Sequence, residues 1–319
     1  MEPQKESNPN YLPYPPQSTD DEIDLRELFK ALWKGKWIII ATTFIFVIGS
    51  VLYALSFPNI YKADALLAPT ESSNGGGLSK IGGQLGGLAA LAGVNLSGVE
   101  MSQAELAVQV MKSRQFVESF INRHGLLVPL MATKSWDMAN NKLVVDDNIY
   151  NTTSEKWLRD SKGLLGPEPS AQEAYEVFVN DIFNVNMNKD TGLYSISIKH
   201  YSPFIAKQWV NWIVEDINQV MRERAISETS KNLTYLSIQL NKTSIADMRN
   251  TFYKLIEDQT KSLMLAEAQE EFVFKTIDPA VVPERKFGPN RVLLVILGVL
   301  LGIGLSISVL TLRVFYLNK

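Results

Sequence analysis

The sequence predicts an α+β membrane protein: two transmembrane helices flanking an α/β base domain that carries a long projecting helical hairpin. Three observations lead there. First, no ionisable residue lies between Arg291 and Arg313, a run of about 21 residues that can cross a ~30 Å hydrocarbon core as a helix. It is apolar all round, unlike a helix on the rim of a soluble core. Second, residues 37–61 are also free of charge and are bracketed by Lys36 and Lys62. Third, no Gly or Pro interrupts residues 204–278. One helix over residues 204–271 would be ~100 Å long, whereas a compact domain of this size has a radius of gyration of only ~17 Å. Such a helix must project or fold back. With both ends of the middle segment tied to one membrane surface, it goes out and returns. Asn241, Lys242, Thr243 and Ser244 are the least helix-favouring place to turn.

Taken in order, residues 1–19 are rich in Pro, Asn and Gln and have too little apolar surface to fold. Residues 20–37, DDEIDLRELFKALWKGKW, place acids at a helix start and an apolar stripe of Leu25, Leu28, Phe29, Leu32 and Trp33 at helical spacing. Their basic residues gather at the membrane end, as in an amphipathic helix lying on the inner leaflet. Residues 1–36 therefore read as a tail with an amphipathic helix, and residues 37–57 as the first transmembrane helix. Arg26, Lys30, Lys34 and Lys36 precede this span and Lys62 stands alone after it. The positive-inside rule then puts both termini in the cytoplasm and residues 58–290 in the periplasm. Charges around the second span argue weakly the other way, but the first helix usually dominates.

Residues 61–69 leave the membrane as a strand. Residues 71–98 follow as a glycine-rich loop without the G-x-x-x-x-G-K-[ST] pattern of a phosphate cradle. Residues 102–124 have helical periodicity. Residues 126–170 are mixed, with Trp136 and Trp157 as core or rim residues. Ser170 and Glu173 have capping-box spacing at the start of a short helix ending near residue 180. Residues 182–188 and 193–200 alternate around a turn at residues 189–192, which predicts a β-hairpin. Ser202 caps and Pro203 opens the helical arm, about residues 202–271. Residues 272–277 are strand-like and share the base sheet with residues 61–69. Pro283 and Pro289 restrict the chain as it approaches the membrane. Residues 291–313 form the second transmembrane helix, with residues 314–319 beyond it. Gly298, Gly302 and Ser306 recur every fourth residue there, a face on which another helix can approach closely.

Chemistry is harder to find. The chain has no cysteine, which excludes disulfides and thiolate sites. Its two histidines, His124 and His200, lie in no ligand-spaced cluster. No nucleophile elbow occurs. These observations predict no catalytic residue, metal or cofactor and no nucleic-acid partner.

The run IDLRELFKALWKGKWIII with the first span resembles the amino-terminal signature of the Wzz family, the polysaccharide chain-length regulators of bacterial inner membranes. PERKFGPNRVLLVILGVLLGIGLS is similar to that family's second span, which also carries proline and glycine. The small-residue run GGLAALAGVNLSG resembles a loop of some relatives. The resemblance implies a membrane-proximal base, a long helical hairpin and rings of protomers without a fused kinase. It implies a non-enzymatic scaffold that sets the length of a surface polysaccharide, foremost lipopolysaccharide O-antigen. The implied partners are copies of the chain, the membrane polymerase, its lipid-linked glycan and the bilayer. Two other readings stand beside it: a polysaccharide-export adaptor serving a separate tyrosine kinase, and a transmembrane sensor.

Overall fold

The computed structural model describes residues 33, 35–70 and 102–317. The predicted tail at residues 1–19, most of the amphipathic helix at residues 20–37 and the glycine-rich loop at residues 71–98 lie outside the described residues. The chain forms two compact units, one of the two apolar helices and one of Phe57–Pro289.

The first unit contains α1, Lys36–Ser56, and the last helix of the chain, Arg291–Leu317. Both are long and apolar enough to cross a membrane. Their outward side chains, such as Phe44, Leu52, Val292 and Leu300, are exposed. A lipid-facing helix needs this surface, because the backbone satisfies its own polar groups and only the side chains meet the hydrocarbon.

The second unit is built on a four-stranded antiparallel sheet. Its strands are β1 (Tyr61–Pro69), β6 (Phe183–Met187), β7 (Tyr194–His200) and β8 (Phe274–Asp278), in the order β6-β7-β1-β8. Period-two alternation sets the register. Ala63 pairs with Ile198 and Ala65 with Ile196, and these four side chains enter the core, while Asp64 between the two alanines is exposed. The predicted hairpin is β6–β7. The strand expected at residues 272–277 is β8, which pairs with β1 after a bulge at Leu66/Leu67.

The chain between β1 and β6 supplies helices for one sheet face. The helix expected over residues 102–124 is two helices, α2 (Gln103–Met111) and α3 (Arg114–His124). The break has a local cause: the Ser113 side chain accepts from Phe116 N–H and caps α3, an alternative that serine offers to helix continuation. Gly125, at φ +65, closes α3 in the left-handed region. Helix α4 (Leu127–Met131) leads to two small hairpins, β2–β3 (Thr133–Asp137 with Lys142–Val145) and β4–β5 (Tyr150–Asn151 with Lys156–Trp157). Trp136 packs edge-on to Tyr61, and Trp157 edge-on to Tyr150. Helix α5 (Ala171–Val177) carries the expected capping box between Ser170 and Glu173, and a single π-turn, Phe178–Ile182, joins it to β6.

The arm is α6 (Pro203–Lys242) followed by α7 (Ala246–Ala268). Ser202 caps α6 and Pro203 occupies its first turn. The chain turns at residues 243–245, overlapping the predicted turn at Thr243 and Ser244. Only the first half of α6 is core: Trp209, Val210, Ile213, Ile217 and Met221 are buried, and α6 packs on β1, β7 and α2. In α7 only Gln259 and Ala266 are buried. The last helix, Arg291–Leu317, is α8.

Candidate functional site

In the helix unit, α8 packs along α1. The face that meets α1 carries Gly298 and Gly302. A Cβ at Gly298 would collide with the Ser50 side chain, falling 2.6 Å from its Oγ. A Cβ at Gly302 would lie 3.0 Å from both Thr43 Cα and Phe46 Cβ. A side chain at either place would make the other helix shift, because it occupies the space. The face continues through Ser306 and Leu310, both buried. The hydroxyls of Ser50 and Ser306 donate to carbonyls of their own helices, at Val47 and Ile303, so they add no unpaired polar group to the contact. Gly304, off this face, has open space around it. The partners Thr43, Phe46, Ser50 and Ala54 were not singled out from the sequence. The signal was there, since Phe46, Ser50 and Ala54 recur every fourth residue in the first span and the last two are small.

In the second unit the chain segments that adjoin the two helices pair in an isolated antiparallel bridge between Ile60 and Gly288. Ile60 N–H donates to the Gly288 carbonyl at 2.9 Å, and Phe287 N–H donates to the Ile60 carbonyl at 2.8 Å. Pro289 follows Gly288 through a cis peptide, and Pro283 is half-buried in the segment leading there. The structure thus places the two prolines and the three small residues in different units.

The histidines have structural surroundings. His200 is buried; its Nε2 faces the Pro129 carbonyl and its Nδ1 accepts from Ser202 N–H. Burial pushes its pKa down to about 4, against the pull of the Pro129 carbonyl. His124 stacks on Trp212 and meets Asp216, which also accepts from Arg123. This contact fastens α3 to α6. Arg159 holds the Glu173 carboxylate down to about 2, with help from the Ser170 N–H. Among the described residues no group of His, Cys, Asp and Glu is arranged to hold a metal ion.

Residues 21–124 match the family model of Wzz, "chain length determinant protein". Among solved structures, the chain is similar to a full-length bacterial polysaccharide co-polymerase. The identity is 12% over 94% of this chain and 99% of that one, with a TM-score of 0.38. It is also similar to a fragment of WzzB, a polysaccharide co-polymerase from Salmonella Typhimurium. That identity is 10% over 72% of this chain and 100% of that one, with a TM-score of 0.28. Both likenesses are loose in three dimensions. The match of residues 21–124 to the Wzz family of chain length determinant proteins covers about a third of the chain.

Proposed function

We propose that this chain is a non-enzymatic, two-pass inner-membrane regulator that sets the length of a surface polysaccharide, with lipopolysaccharide O-antigen as the first candidate. It acts as an oligomeric scaffold beside the membrane polymerase that extends a lipid-linked glycan. Its termini lie in the cytoplasm, and residues 58–290 form the periplasmic domain. The observation that carries the reading is the match of residues 21–124 to the chain length determinant family. Two helices able to span a membrane, and a middle unit large enough to hold its own core, support it. The glycine face joins the two spans into a pair that can move as one body against a polymerase.

The test is a lipopolysaccharide gel from a strain lacking this chain. Loss of the modal cluster of bands is the expected result, and an unchanged ladder would remove O-antigen as the polymer. A reporter active only in the periplasm, fused after Asp190, is expected to be active. Activity of a cytoplasm-only reporter at that position would reverse the orientation.

A further inference from the structure

Strands β1 and β7 bring two lysines to one point of the outer sheet face. Lys62 and Lys199 are directly paired across the strands. Tyr61, Ala63, Ile198 and His200 beside them point into the core and are buried, so the two lysines emerge together on the opposite face. Phe287 lies there too, 58% exposed. Lys62 Nζ is 5.8 Å and Lys199 Nζ 5.5 Å from its ring centroid. Like charges directly opposite one another destabilise an antiparallel pair, yet among the described residues neither lysine is ion-paired. Arg285 and Lys286, exposed, immediately precede Phe287 in the chain. The acids nearby are Asp64, exposed on the same face of β1, and Glu284. Four cations thus stand against two carboxylates.

In sequence this patch lies beside both apolar helices. Lys62 is six residues beyond Ser56, where α1 ends, and Phe287 is four before Arg291, where α8 begins. The hydrogen bond from Phe287 N–H to the Ile60 carbonyl ties the two approaches together. Paired ammonium groups fit a phosphate, and an exposed apolar ring beside them fits the glycerol and acyl boundary that a free anion lacks. We infer that Lys62, Lys199 and Phe287 form a binding site for the headgroup phosphate of an anionic membrane phospholipid. The bound phosphate, with its single negative charge between the two ammonium groups, relieves a repulsion that weakens this strand pair. The inference concerns lipid and does not depend on the polysaccharide reading.

The test uses the full chain in detergent, titrated with dioctanoyl phosphatidylglycerol, with bound lipid counted by native mass spectrometry. An anionic surface is worth about fivefold in binding per nearby lysine, so Lys62→Gln with Lys199→Gln is expected to weaken binding about 25-fold. Phe287→Ala is expected to weaken it less. Phosphatidylcholine is expected to bind poorly, and inorganic pyrophosphate at the same concentration to leave the lipid in place. Without lipid, the double-glutamine variant is expected to melt at or above the parent, because a repulsion has been removed. Unchanged binding in the double variant, equal binding of phosphatidylcholine, or displacement of the lipid by pyrophosphate would each overturn the site. A lower melting point of the lipid-free double variant would make the lysines structural and overturn it as well.

Discussion

Asn218 carries more of the fold than its residue type suggests. It is buried in the middle of α6; its Oδ1 accepts from Val273 and Phe274 N–H at 2.8 and 2.9 Å, and its Nδ2 donates to the Phe274 carbonyl at 2.9 Å. One amide thereby fastens the root of the arm to β8. Asn218→Ala leaves buried backbone groups without partners, and a loss of about 3 kcal/mol is expected, read from thermal melting of the full chain in detergent. An asparagine in a helix gives no such signal by itself, since its partners arrive 55 residues later. His200 sets a pH dependence. An ordinary histidine takes up a proton near 6.5, whereas the folded chain keeps His200 neutral until about 4. Between those values the unfolded chain binds more protons, so stability is flat above pH 6.5 and falls as pH drops toward 4. The expected loss reaches about 3 kcal/mol. A His200→Gln variant is expected to lose that slope; an identical slope in melts from pH 7 to 4 would assign it elsewhere. Glu173, whose folded pKa is depressed, adds a lower window, with its stabilisation lost as pH falls from 4.5 to about 2.

The elements most legible in the sequence are those whose signals are local. The alternation around residues 189–192, the Ser170 and Glu173 spacing and the Ser202-Pro203 start need no knowledge of distant chain, and the structure has all three. The division of residues 102–124 into two helices was not legible, because the periodicity of α2 and α3 nearly continues across Ser113 and the cap hydrogen bond decides the break. The contact between α1 and α8 had only half its signal read, the half on α8. That contact makes a specific prediction. Gly298→Ala drives a methyl group into Ser50 and is expected to cost about 1–3 kcal/mol by overpacking. Ser50→Gly removes the obstructing atoms, so in the double variant most of that loss is expected to return. Melting curves of the four proteins in detergent complete the cycle. Strictly additive losses would mean that Gly298 matters for some reason other than Ser50.

At the scale of the whole chain, the base could be foreseen from period two and period 3.6, but the arm was foreseen from length. Helix α6 has 40 residues and is ~60 Å long, several times the ~17 Å radius of gyration of a compact domain of this size. Its buried residues end at Met221. Beyond that point α6 and α7 have mainly each other, and Tyr235, Ile238, Met248 and Tyr253 stand half or more exposed or nearly so. Two helices with so little shared core gain little from packing, and isolated helical stability in water is marginal. Copies of the chain set side by side would cover these side chains and stabilise the outer arm. The full chain in detergent is therefore expected to be a homo-oligomer larger than a dimer, visible by chemical cross-linking and light scattering. Replacing Ile238 and Met248 by Asp would put two charges into that lateral contact. The variant is expected to shift to smaller species while the base, anchored by the core around Trp209 and Ile213, melts as before. Hydrogen exchange adds an internal control, since amides of residues 225–262 would be protected in the oligomer and exchange fast in the variant, with residues 206–221 slow in both. A monomeric parent chain that still sustains a modal polysaccharide length would show that the arm needs no lateral partner.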